Sequence, residues 1–240
     1  MKRIKLPLLF FITMTLCSTL LVFDKKEKEK EIIDYTTLNM VCLGDSITYG
    51  YEPHTGRKMD KPYPTLVAET LDLNSVKNYG IPGDTIAYHK DWKIMSKRYT
   101  EMSREADIVS VLGGINDYRY STIPLGDIDD NDIYTIYGAF NVLAKGLKKR
   151  YPDAFIFFMT PYKWDDDTGK CSQGYTLEDM SDAIIDVCDK HDIPVLDLYR
   201  YGNLESEFGL DASDGLHPTQ DFLINNTAPQ IVEFIKENYN

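Results

Sequence analysis

Four short stretches of this 240-residue chain carry side chains able to move an acyl group. Gly44-Asp45-Ser46 offers a hydroxyl beside a glycine turn, and Asp214-Gly215-Leu216-His217 sets an imidazole three residues after a carboxylate. Gly113-Gly114-Ile115-Asn116-Asp117 supplies a carboxamide, and Tyr79-Gly80-Ile81-Pro82-Gly83-Asp84 has glycines that let backbone amides turn toward a ligand. Taken singly, each has an ordinary reading as a turn, a helix cap, a loop or a helix entry. Taken together they form a complete set for acyl transfer. Ser46 is the candidate nucleophile, His217 the general base, and Asp214 the group that fixes the imidazole tautomer and stabilises imidazolium. The amides of Ser46 and Gly83, with the Asn116 side chain, would bind the oxyanion of a tetrahedral intermediate.

The surrounding pattern places these residues on one edge of a sheet. Short apolar, β-rich runs at 39–43, 75–79, 107–112, 154–160 and 194–198 alternate with helical patterns at 63–71, 92–104, 133–149, 177–190 and 219–237. That order predicts an α/β fold with a parallel sheet covered by helices on both faces, and runs such as Ala154-Phe155-Ile156-Phe157-Phe158-Met159-Thr160 are apolar on both sides as such a sheet requires. Ligands of such sheets bind beyond the carboxyl ends of the strands. The Ser46, Gly83 and Asn116 motifs each follow a strand, and Asp214-x-x-His217 precedes the last helix. Loops 118–131 and 161–175 also follow strand ends and should border the site. Tyr162 and Trp164, directly after the fourth strand, could stack on a sugar or line an acyl pocket, or could serve as core or loop anchors.

In order and separation these blocks resemble the signatures of the SGNH (GDSL-type) hydrolases, over roughly residues 38–238. The resemblance implies a flavodoxin-like three-layer α/β/α sandwich with a five-stranded parallel sheet in the order 2-1-3-4-5. It also implies a serine esterase mechanism without metal or organic cofactor, and loop-bracing roles for Asp45 and Asp117. The G-x-S-x-G elbow of the α/β-hydrolases is absent.

Charge and targeting narrow the function further. Lys2, Arg3 and Lys5 precede an apolar run from Leu6 to Phe23, and no acid occurs before Asp24. Residues 1–23 therefore read as a signal anchor, favoured over a cleaved signal peptide, residues 24–36 as a charged linker, and 37–240 as the catalytic domain. The formal net charge is −12, and −15 beyond residue 23, a field that disfavours nucleic acid and anionic bilayers as partners. Membrane contact is expected only through the N-terminal segment, with the catalytic domain outside, or secreted if that segment is cleaved, and the oligomeric state is left open, a monomer being compatible. Cys17 lies in the apolar run, and Cys42, Cys171 and Cys188 show no zinc spacing. Asp127, Asp129, Asp130, Asn131 and Asp132 read as a solvated acidic loop instead of a calcium site, as do Asp165 to Asp167. His54, His89 and His191 read as surface residues or supports behind the site, and Trp92 as helix packing. The function expected is hydrolysis of short acyl esters, acetyl first, on a small-molecule or polysaccharide substrate. A lipase or lysophospholipase, an O-acyltransferase, and a catalytically idle carbohydrate-binding module are the alternatives.

Overall fold

Five of the apolar runs become strands of one parallel sheet, and the helices between them cover its two faces. The structure is a computed structural model and describes residues 33–90, 94–164, 169–204, 212 and 214–239, all within one compact unit, Ile33–Asn240. In chain order its first elements are β1 (Asn39–Gly44), α1 (Ser46–Tyr49), β2 (Tyr51–Glu52), β3 (Arg57–Lys58), α2 (Tyr63–Leu71), β4 (Ser75–Gly80), α3 (Met95–Arg98) and β5 (Ile108–Leu112). There follow α4 (Ile115–Tyr120), α5 (Ile136–Arg150), β6 (Phe155–Met159), α6 (Leu177–Lys190), β7 (Val195–Leu196), α7 (Leu198–Tyr201), α8 (Gln220–Phe222) and α9 (Ala228–Asn238). The main sheet runs β4-β1-β5-β6-β7, all parallel, which is 2-1-3-4-5 when its own strands are counted in chain order. The fold is thus the three-layer α/β/α arrangement expected.

Strand periodicity explains why the runs are apolar throughout. Val41, Leu43, Val109, Val111, Ile156 and Phe158 enter one core with Phe140 and Leu143 of α5 and Ile184 and Val187 of α6. Their neighbours Met40, Cys42, Phe157 and Met159 enter the other core, with Val67 of α2 and Ile231 and Ile235 of α9. Each such side chain contributes on the order of 1.5–3 kcal/mol by burial. The register sets the site, because Gly44 pairs with Gly80 on one side and Leu112 on the other, so three motif-bearing strand ends lie level.

Several boundaries differ from the expected ones for local reasons. The pattern at 92–104 yields the short α3 and a 3-10 turn, Tyr99–Glu101, because Ile94 is extended and pairs with Thr85 before the helix begins. Helix α5 starts at Ile136, where Thr135 caps the Gly138 amide, because the Ile133 carbonyl is taken by Tyr88. In the last helical stretch Leu223–Thr227 forms a π turn closed by Ala228 N–H on the Leu223 carbonyl, next to Pro229, which has no N–H to continue an α pattern. The charged linker expected up to residue 36 gives way earlier to ordered structure: Asp34 caps a 3-10 turn, Tyr35–Thr37, and Tyr35 packs on the second core. Residues 1–32, where the signal anchor is expected, Trp92 and Asp165 to Asp167 lie outside the described residues. Among the described residues no helix is long and apolar enough to cross a membrane.

Candidate active site

Strand β1 delivers the candidate nucleophile through a turn that tolerates no side chain at its start. A Cβ on Gly44 would lie 1.9 Å from Thr48 Oγ1 and 2.7 Å from the Leu112 carbonyl oxygen, so glycine lets α1 fold back against the strand ends. Asp45 caps α1, its Oδ1 accepting the Ile47 N–H at 2.9 Å. Burial pushes the Asp45 carboxyl up to about 7. Ser46, nearly buried, is the first residue of α1, and its Oγ lies 2.8 Å from His217 Nε2. His217 Nδ1 is 2.6 Å from Asp214 Oδ2, while Asp214 Oδ1 accepts the amides of His217 at 2.8 Å and Leu216 at 3.1 Å. Partial burial opposes the charge of Asp214, but the hydrogen bonds from the His217 amide and ring and from the Leu216 amide hold its carboxyl below the usual value. The Tyr51 ring, on the β2–β3 hairpin, covers the imidazole with centroids 4.9 Å apart.

The opposite wall comes from the ends of β4 and β5. Gly83 has φ 79°, a left-handed conformation that glycine adopts without strain. Asn116, on the first turn of α4, donates one carboxamide N–H to the Asp84 carbonyl at 2.9 Å. An amide nitrogen carries two protons, so this bond fixes the plane of the group and leaves the second N–H for an acceptor in the site. Asp117 accepts the amides of Ile86 and Ala87, each at 2.9 Å, and ties the loop after Gly83 to α4. Burial pushes its carboxyl up to about 7 as well. Tyr120 Oη donates to the Gly83 carbonyl at 3.3 Å, and His89 stacks on the Tyr120 ring with centroids 4.5 Å apart.

Ser46, His217 and Asp214 are therefore in hydrogen-bonded sequence, with Gly83, Asn116, Asp45 and Asp117 around them. Tyr162 is a correction. It is only 2% exposed, its hydroxyl bonds Thr227 Oγ1 at 2.8 Å, and its ring packs edge-on to Phe222 in the second core, so it has no face to offer a ligand. Trp164 is half-buried beside α4, edge-on to Tyr118 and with the Arg119 guanidinium 5.1 Å from its ring centre. The loops after β5 and β6 are joined by Tyr118 Oη to the Gly169 carbonyl at 2.7 Å and by Ser172 N–H to Ser121 Oγ at 2.6 Å.

The acidic loop is internally bonded: Asp130 accepts the Asp127 amide and Thr135 hydroxyl, Asp127 the Asp129 amide, and Asp132 the Tyr134 amide. Asp129 pairs with Lys190. Among the described residues no group of three His, Cys, Asp or Glu could hold a metal ion. His54 is exposed, His89 is buried against Thr122, and His191 caps α6 with Nε2 2.8 Å from Asn141 Oδ1. Cys42 and Cys188 are buried thiols, and burial pushes Cys42 up to about 12. Sequence reasoning missed Tyr51, Tyr120, the Asp84 carbonyl and the buried Arg98. Asp84 alone had a signal, its place next to Gly83.

A serine in line with an imidazole and a carboxylate, facing a carboxamide and a turned loop, can form and cleave an acyl ester. Comparison with known proteins points the same way. The sequence matches none of the curated proteins. A structure from Lactobacillus plantarum is 27% identical, with TM-score 0.75 over 85% of this chain and 99% of that one. A possible lipase from Chitinophaga pinensis is 23% identical, with TM-score 0.67 over 83% and 98%. A carbohydrate acetylesterase family member from Sinorhizobium meliloti shares the fold at 15% identity, with TM-score 0.61 over 84% and 98%. The model of the GDSL-like lipase/acylhydrolase family matches residues 42–221, three quarters of the chain and every element that carries the site. The chain belongs to the GDSL-like lipase/acylhydrolase family.

Proposed function

We propose that this chain is an extracytoplasmic serine esterase that hydrolyses short acyl esters, acetyl esters of carbohydrate foremost, through an acyl-enzyme on Ser46. The observation that carries the reading is the unbroken line from Ser46 Oγ through His217 to Asp214, at 2.8 and 2.6 Å. His217 Nε2 takes the Ser46 proton as Oγ attacks the ester carbonyl, and Asp214 holds the Nδ1 proton and stabilises the imidazolium. The carbonyl oxygen becomes negative and accepts from the amides of Ser46 and Gly83 and from the second N–H of Asn116. Collapse expels the alcohol, which takes the proton from His217. Water then attacks the acyl carbon, gives a proton to the same nitrogen, and releases the acid and free Ser46.

Short acyl groups are supported by the side chains around the site. The Tyr51 ring lies against His217 and Tyr120 bonds the Gly83 carbonyl, and Ile81 is the exposed large aliphatic residue beside the nucleophile turn, where its amide bonds the Gly44 carbonyl at 3.0 Å. The fold is shared by a possible lipase and a carbohydrate acetylesterase family member alike, so it chooses neither. A net charge of −12 favours a neutral glycan over an anionic lipid surface. The extracytoplasmic placement rests on Lys2, Arg3 and Lys5 ahead of the apolar run, with residues 24–240 outside.

A series of aryl esters of increasing chain length, followed by acetylated glycans, tests the reading. Acetyl or butyryl esters should exceed decanoyl in kcat/KM by ~10-fold or more, the ratio given by about 1.4 kcal/mol of transition-state discrimination. Trp164→Ala should weaken action on a sugar ester more than on an aryl acetate. Faster turnover of long chains would make the enzyme a lipase instead.

A further inference from the structure

The Arg98 guanidinium is one of the most buried charged groups among the described residues, 5% exposed against a fully buried Asp84 carboxylate. It lies at the end of α3 and uses every nitrogen. Nε donates to Asp84 Oδ2, Nη1 to the Tyr79 carbonyl at 2.5 Å, and Nη2 to the Gly44 carbonyl at 2.6 Å. These acceptors are the last turns of β4 and β1 and the loop between Gly83 and Ala87. Gly44 directly precedes the Asp45-Ser46 turn, and the Asp84 carbonyl receives the Asn116 carboxamide. Helix α3 is itself tied to that loop, since Met95 N–H donates to the Thr85 carbonyl at 2.8 Å.

An ion pair buried so deeply is a poor device for stability alone, because desolvation offsets most of its attraction. Its geometry has a more specific use. A planar fork with donors at fixed angles sets three acceptors relative to one another, which an ammonium cannot do. Asp117 grips the same loop from the other side through two amides. The Asp84 carbonyl is thus held between Arg98 and Asp117, and with it the plane of the Asn116 amide.

We propose that Arg98 is a positioning residue for the oxyanion site: braced on the Gly44 and Tyr79 carbonyls, it sets through Asp84 the carbonyl that orients the Asn116 carboxamide. The proposal rests on the esterase reading above. Arg98 touches no reacting atom. It acts through the direction of one N–H, so its loss is felt where charge develops on the substrate oxygen and not in ground-state binding.

The test is a kinetic cycle on Arg98→Lys, Asn116→Ala and the double variant, with an aryl acetate as substrate. Each kcat is taken per site that reacts to completion with a phosphonate, so unfolded molecules do not count. Arg98→Lys should lower kcat by roughly 10- to 100-fold with KM nearly unchanged, as small misplacements of catalytic groups do. In the Asn116→Ala background the same substitution should change kcat by less than about twofold, because the group it positions is already gone. Equal losses in both backgrounds, or a loss confined to KM, would overturn the proposal. If Arg98→Lys does not fold, Asp84→Asn, which keeps the carbonyl and the side-chain volume, takes its place in the cycle: a loss of kcat that vanishes in the Asn116→Ala background supports the proposal, and equal losses overturn it. Ser46→Ala in parallel separates the questions: activity retained there sinks the esterase reading, whereas a dead Ser46→Ala with an additive cycle sinks only the role of Arg98.

Discussion

The two walls of the site are built by different means. The wall of the candidate nucleophile and proposed oxyanion donors hangs from three parallel strand ends; Asp45, Ser46, Asp84, Asn116 and Asp117 on it are all buried, and Asp84, Asn116 and Asp117 are cross-linked by hydrogen bonds between elements far apart in sequence. The acid–base wall is a turn. Asp214 has 37% of its side chain exposed and, among the described residues, bonds within its own four-residue stretch, to Leu216 and His217, while His217 links to Ser46. The difference teaches a division of labour. Stabilising a developing charge needs dipoles that do not reorganise, hence a rigid wall, whereas passing a proton needs a tautomer and a distance, which a local turn can set.

The largest effect should come from the turn and touch activity alone. In Asp214→Asn, Oδ1 can still accept both turn amides, but the carboxamide N–H₂ would face His217 Nδ1 and force the wrong tautomer. We expect kcat to fall about 10⁴-fold while the urea midpoint scarcely moves. A large loss of stability would show that the turn is not the independent piece described here.

On the rigid wall, Asn116→Ala should lower kcat by about 10²- to 10³-fold and leave KM close to wild type. A change confined to KM would make Asn116 a substrate-binding residue. Asp117→Asn strikes the same wall behind the reacting atoms. One of the two amides it now accepts would meet an N–H₂ instead of an oxygen, costing about 1–3 kcal/mol of stability in urea titrations. Stability equal to wild type would contradict the bracing role.

The smallest effect is the pH dependence of stability, which should have opposite sign in the two walls. Asp45 and Asp117 have folded values near 7 against an ordinary 3.8, so their contribution is full below about 4 and is lost as pH rises through about 7. Asp214 is shifted downward, so its contribution is present above about 4 and is lost as pH falls through its folded value. Asp45→Asn keeps the cap on Ile47 and removes one titration. Urea midpoints between pH 4 and 8 should fall less steeply in the variant than in wild type, and identical slopes would exclude a protonated Asp45.

Legibility in the sequence followed the range of the interactions. β1, β4 and α6 are readable almost to the residue, because a short apolar, β-rich run and a 3.6-residue stripe are local signals. Ser46 and His217 meet across 171 positions, and only the repeated coincidence of chemical groups with strand ends makes that meeting visible. Arg98 gives no such signal, since its partners Gly44 and Tyr79 are bare carbonyls that no residue type encodes. Tyr51 is hidden for another reason: two-residue strands carry too few positions for an alternation to show. Tyr162 misleads because an aromatic residue after a strand looks the same whether its ring turns toward the site or into the layer beneath the sheet.

The central claim is that Ser46 becomes covalently acylated. Intact-protein mass measurement after treatment with an alkyl phosphonate, followed by peptide mapping, reads that directly. The account predicts one adduct per chain, carried by the peptide that contains Ser46, absent in Ser46→Ala and formed far more slowly in His217→Ala. An adduct on another serine, or full esterase turnover in Ser46→Ala, would contradict it.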